Sequence, residues 1–138
     1  MRGDKTMTKN EILDILRSKV GQDDFEYIQE DMVSEIEHCE NQFDFIEQIL
    51  KLMEDNPDAD FGIPGALTHF IEQFSQNGYE ELLLQSVKRN PTAHNVWLLH
   101  RAWNDANDPL HDKYKNLAEY LKSMPDLSEN VKSQLEMF

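Results

Sequence analysis

The side chains able to do chemistry are numerous but of few kinds: five histidines, twenty-seven carboxylates and one cysteine. The histidines are His38, His69, His94, His100 and His111. None forms a His-x-x-x-His pair, and none is set against a glutamate in a zinc-protease pattern. His94 and His100 are six residues apart, which puts them on different faces of one helix. A lone cysteine, Cys39, excludes an internal disulfide and a cysteine-rich zinc site, and its place on an apolar stripe is that of an inert buried thiol. Acid-base catalysis needs one carboxylate set apart by its surroundings; a long run of them reads instead as a solvated face. No Gly-x-Ser-x-Gly elbow is present. The glycines of "FGIPGALTHFIEQF" (61–74) have no preceding strand, no following Lys-Ser/Thr and no Gly-x-Gly-x-x-Gly spacing, so they do not make a phosphate loop. No catalytic residue, metal or cofactor is expected.

What remains is recognition by charge and shape. The formal net charge is -14, and it is concentrated: Asp23 to Asp60 holds fourteen Asp and Glu against Lys51 alone, or -13, leaving the rest of the chain near neutral. Such a surface steers positively charged partners toward itself and argues against bare nucleic acid or an anionic membrane as ligand. At helical spacing, Asp23, Tyr27, Glu30, Asp31, Ser34, Glu37 and His38 fall opposite the apolar stripe of their segment. With Asp58 and Asp60 of the adjoining "DNPDADFG" loop they form the expected contact face for a basic protein partner. His69, turned away from its own apolar stripe, and His94, Trp97 and Arg101, turned away from theirs, form a second candidate set. Trp and Arg dominate interaction hot spots when exposed together, although Trp97 or Trp103 could equally serve a homo-oligomer or a covering layer.

The elements that must carry these residues are helical throughout, because apolar residues recur at intervals of three and four and no segment alternates. Thr8 and Glu11 match a capping box ahead of Ile12, Ile15 and Leu16, with Gly21 as the stop. A second helix is expected at 23–39, its stripe running Phe25, Ile28, Met32, Ile36 and Cys39. A third, at 41–54, is apolar on two sides (Phe43, Ile46, Leu50, Met53; Phe45, Ile49, Leu52) and so belongs between neighbours. Further segments follow at 64–76, with Pro64 in the first turn, then 79–89, 92–105, 110–123 and 127–136, separated by Asn-Gly and X-Pro punctuation. The expectation is one all-α domain over 1–138, of six to seven antiparallel helices in a HEAT- or armadillo-like stack or an irregular bundle. Residues 1–6 are expected to be a flexible lead-in. "MRGDKTMTKN" has no apolar core of a signal peptide, and no apolar run approaches the ~18 residues that cross a bilayer, so a soluble cytoplasmic protein is expected.

Three stretches, "FGIPGALTHFIEQF", "GYEELLLQSVKR" and "NPTAHNVWLLHRAW", resemble a pattern of small acidic helical immunity proteins from bacterial polymorphic-toxin and contact-dependent growth inhibition systems. In those proteins a proline-glycine turn precedes a Leu-x-His-Phe/Val-Ile/Val-Glu helix, and an Asn/Lys-Pro-Thr turn opens a Val-Trp helix. The resemblance spans about residues 60–103. It implies a non-catalytic inhibitor that binds a cognate toxin C-terminal domain, such as a nuclease, inside the cell that makes both. The residues alone are equally compatible with a general helical adaptor or regulatory module.

Overall fold

The computed structural model describes residues 7–138; the expected flexible lead-in at 1–6 lies outside the described residues. Thr8 and Glu11 form the reciprocal cap that their spacing suggests: the Thr8 hydroxyl accepts the Glu11 N–H at 3.1 Å, and Glu11 Oε1 accepts the Thr8 N–H at 2.8 Å. They open α1 (Lys9–Lys19), followed by α2 (Phe25–Ile36), α3 (Phe45–Asp55), α4 (Ala66–Glu72), α5 (Tyr79–Arg89), α6 (Ala93–Trp103), α7 (His111–Lys122) and α8 (Glu129–Leu135). There is no β-strand among the described residues, and no helix of them is long and apolar enough to cross a membrane. The all-α reading therefore holds, but the described residues form eight α-helices rather than six to seven. Each segment between the breakers is a separate helix.

Three boundaries differ from expectation for local reasons. α2 stops at Ile36 rather than running to Cys39, because the next N–H groups tighten to i−3 acceptors, His38 onto Glu35 and Cys39 onto Ile36. Cys39 is half-buried in the turn that follows. Phe43 lies in a single 3-10 turn, Gln42–Asp44, before α3, so it is not part of that helix's apolar face. α4 starts at Ala66 with Gly65 as its N-cap; Pro64, joined to Ile63 by a cis peptide bond, stands before the helix rather than in its first turn.

The core has α3 and α6 at its centre. α3 buries Phe45, Ile46, Ile49, Leu50, Leu52 and Met53, a broad face covering about half of its circumference at 100° per residue, and it packs on α1, α5 and α6. α6 buries Val96, Leu98 and Leu99 against α5, α7 and α8. α1 pairs with α2, and α2 with α4.

One polar cluster ties α3 to α5 and α6 inside this apolar setting. Glu54 is buried and accepts from Ser86 Oγ at 2.7 Å, Arg89 Nε at 2.8 Å and Arg89 Nη2 at 2.6 Å. Asn90 Nδ2 donates to the Glu54 carbonyl, while Asn95 Nδ2 donates to Ser86 Oγ and the Asn90 carbonyl. The Arg89 side chain is 37% exposed, so water can replace its carboxylate, and Asn90 keeps its bond to the residue-54 backbone carbonyl, whereas the buried Ser86 hydroxyl would lose its acceptor. Glu54→Ala is expected to cost about 2 kcal/mol for these reasons. Urea denaturation at neutral pH measures it, and a loss under about 0.5 kcal/mol would put the network on the footing of an ordinary surface substitution.

Candidate functional site

The 100° turn per residue divides the acidic surface of α2 into two strips. Asp23, Glu26 and Glu30 lie along the edge that faces the loop leading into α4. Tyr27, Asp31, Ser34 and His38 point directly away from the buried side formed by Phe25, Gln29, Met32 and Ile36. The first strip lines an open groove of about 840 Å³, together with Asp58 and Asp60 from the loop and His69 from α4. Among the described residues none of these five carboxylates pairs with a lysine or arginine, and His69 is the only basic side chain in the lining.

Close backbone packing holds the loop that forms the second wall. Asp60 Oδ1 accepts the Gly62 N–H at 2.8 Å, and Asn56 Nδ2 donates to the Leu52 carbonyl at 2.9 Å. Phe61 is buried and meets the Phe25 ring edge-on at a centroid distance of 5.8 Å, which fixes the loop to the start of α2. Gly65 permits the turn: a Cβ there would lie 1.9 Å from the Phe61 carbonyl oxygen. Gln29, buried on α2, reaches the first turn of α4, where its Oε1 accepts the Leu67 N–H at 3.5 Å.

Of the residues expected as one contact face, the groove gathers Asp23, Glu30, Asp58 and Asp60, with His69 of the second set. Tyr27 (66% exposed), Asp31, Ser34, Glu37 and His38 are on the surface but outside the groove. Tyr27, Asp31, Ser34 and His38 make a separate outward strip on which His38 Nδ1 sits 2.8 Å from the Ser34 carbonyl, while Glu37 continues the edge of Glu26 and Glu30 beyond the groove lining. The sequence reading missed Glu26, although its position three after Asp23 and four before Glu30 was a usable signal. It also missed Ile63, which is 81% exposed and whose exposure follows only from the turn around it.

The second set is corrected more sharply. His94, Trp97 and Arg101 are half-buried rather than exposed together, because the 57–63 loop folds over the start of α6. The Phe61 and His94 rings stand 5.4 Å apart and the His94 and Trp97 rings 5.2 Å apart, with the Arg101 guanidinium 4.9 Å above Trp97. Arg101 is also held by Glu72 through two hydrogen bonds of 2.8 Å, so it is committed within the fold. Trp97 keeps one open side, in a cleft of about 220 Å³ whose lining shares Asp60, Phe61, Gly62 and Ile63 with the acidic groove. The loop is thus a ridge with Ile63 at its crest, acidic on one flank and aromatic on the other.

His94 hydrogen-bonds Thr68 Oγ1 at 3.2 Å. Burial lowers its pKa from the usual 6.5 to about 4, against the opposing pull of Asp60 and Glu72. Since the folded value lies below the unfolded one, the unfolded chain takes up the proton first as pH falls. Stability is complete above about pH 6.5 and declines toward about pH 4. Between about pH 7.5 and 5 the expected loss is about 2 kcal/mol, and His94→Gln, which cannot titrate, should remove it. Urea midpoints for both proteins across that window check this; parallel curves would refute it.

Among the described residues no group of three or more His, Cys, Asp or Glu is arranged to hold a metal ion. Comparison with protein-family models, with curated proteins and with solved structures gives no significant match in any of the three.

Proposed function

We propose that the protein is a non-catalytic binding protein, an immunity protein that neutralises a cognate toxin domain in the cytoplasm of the producing cell. The observation that carries this reading is the groove itself: Asp23, Glu26, Glu30, Asp58 and Asp60 converge on one open surface with no lysine or arginine in its lining. A nuclease cleft is basic because its substrate is a polyanion, and a rigid acidic groove is its electrostatic complement. Matched charge gives fast encounter and rejects wrong partners. Residence then depends on apolar anchors, and the exposed Ile63 crest beside the half-open Trp97 cleft supplies them in one patch.

The scaffold fits the role. Nearly all packed helix pairs are one or two positions apart in the chain, as in a short HEAT- or armadillo-like stack, whose surface is presented with little rearrangement. The resemblance over about residues 60–103 points to the same partner class. The deciding experiment is co-expression with the C-terminal domain of the secreted toxin encoded immediately upstream. Rescue of growth and a complex stable to gel filtration are expected. Unrescued killing with no detectable complex would overturn the toxin reading and leave a helical adaptor in its place.

A further inference from the structure

A second surface, on different helices, has the opposite charge. α5 and α7 both pack along α6 without closing on one another, and between them runs an open groove of about 630 Å³. Leu84 of α5 and Leu117 of α7 line it, Tyr120 (63% exposed) and Met124 stand along it, and Lys88 and Lys113 flank it. No carboxylate is among its lining residues. Other lysines of this region are neutralised locally, Lys115 and Lys122 by Glu119 and Lys132 by Glu129. Lys88 and Lys113 have no carboxylate partner among the described residues. In a chain of net charge -14, two unpaired lysines beside an apolar trough reverse the charge of that face. Through Leu121 and Met124 the trough continues into a depression of about 440 Å³ against α8.

We propose that this groove receives an acidic amphipathic helix of a partner protein. A gap between two helices that share a third is the shape another helix fills, with apolar residues at i, i+3 or i+4, and i+7 laid into it. Leu84, Leu117, Tyr120 and Met124 would bury that stripe. Lys88 and Lys113 would meet carboxylates flanking it, which sets both the sign of the partner and the orientation of its helix. A second copy of this chain is disfavoured as occupant, since two bodies of -14 repel at long range. The inference does not depend on the acidic groove or on a toxin partner, because the two surfaces share no lining residue.

The test is selection of a phage-displayed library of helical peptides, randomised at surface positions, on the full-length protein. The expected winners carry Asp or Glu beside an apolar i, i+3/i+4, i+7 stripe. Their affinity should fall at least tenfold in Lys88→Glu/Lys113→Glu and in Tyr120→Ala, and stay unchanged in Glu30→Lys. Enrichment of basic peptides, no enrichment at all, or binding indifferent to the lysine reversal would each overturn the proposal. So would two other results: a dimer in sedimentation that Tyr120→Arg dissociates, which assigns the groove to a second copy, or binding to vesicles of anionic phospholipid that the lysine reversal abolishes, which assigns it to a membrane surface. Thermal melts of each variant separate loss of binding from loss of fold.

Discussion

Gly65→Ala is expected to cost about 3 kcal/mol of stability, in the range of core overpacking, despite adding one methyl group near the surface. The cause is steric and not conformational. Gly65 has φ -100° and ψ -176°, which any residue adopts, but the new Cβ would lie 1.9 Å from the Phe61 carbonyl oxygen, 3.0 Å from its carbon and 3.1 Å from Gln29 Oε1. Two of these are backbone atoms of a residue whose ring is locked against Phe25, so relief requires the ridge to move. Gly21→Ala is the matching control: φ there is +87° with no atom within 4 Å of the added carbon, so only the left-handed strain of about 1 kcal/mol applies. Urea denaturation of both variants measures the difference. Gly65→Ala no worse than Gly21→Ala would mean that the loop is free to relax and that the ridge is not a fixed surface. Weakened partner binding by Gly65→Ala under conditions where it remains folded would show that the position of Ile63 matters as well as its presence.

Reversing two groove charges, Glu26→Lys with Glu30→Lys, is expected to slow association with the cognate toxin domain by about 10- to 100-fold at low ionic strength. The pair changes the net charge by four, from -14 to -10. So does Asp31→Lys with Glu37→Lys on surface outside the groove, and that pair should slow association only a few-fold. The distinction rests on range. Charge outside the groove acts mainly through the summed field, screened beyond about 8 Å at physiological salt, whereas Glu26 and Glu30 stand where the partner's cations would be held. Stopped-flow association across a salt series reads both effects, and the groove variant should also lose most of its salt dependence. Equal slowing by the two pairs would assign the effect to net charge alone and remove the groove from the interface. Neither pair removes a side-chain hydrogen bond of the fold, and the relief of like-charge repulsion opposes the cost of a cation in the first turn of α2 at position 26, so stability should change by less than about 1 kcal/mol.

The sequence by itself determined the all-α class and the approximate place of each helical segment, though not their number or every boundary. Thr8 with Glu11 placed the first cap, α5 was bounded to the residue by Gly78 and Asn90, and the double apolar face of α3 foretold its central position. These follow from local rules: side-chain capping, a 3.6-residue period, and the inability of proline and glycine to continue a helix. The acidic character of the 23–60 region was equally legible, since charge is a property of residues and not of their arrangement. Only the tertiary structure decided which acids act together. Tyr27 and Glu30 are three residues apart on the same helix, yet one lies on the outward strip and the other in the groove, because the wall that makes the groove comes from residues 58–66 and is held there by Phe61, Gly65 and Gln29. The same loop, by folding onto α6, turned His94, Trp97 and Arg101 from an exposed set into a half-buried stack. The gap between α5 and α7 was likewise not legible, since each helix shows a normal apolar stripe toward α6 and only their shared neighbour holds them apart. Contacts between segments far apart in the chain leave no period in the sequence. The groove, the ridge and the lysine-flanked trough are all made of such contacts.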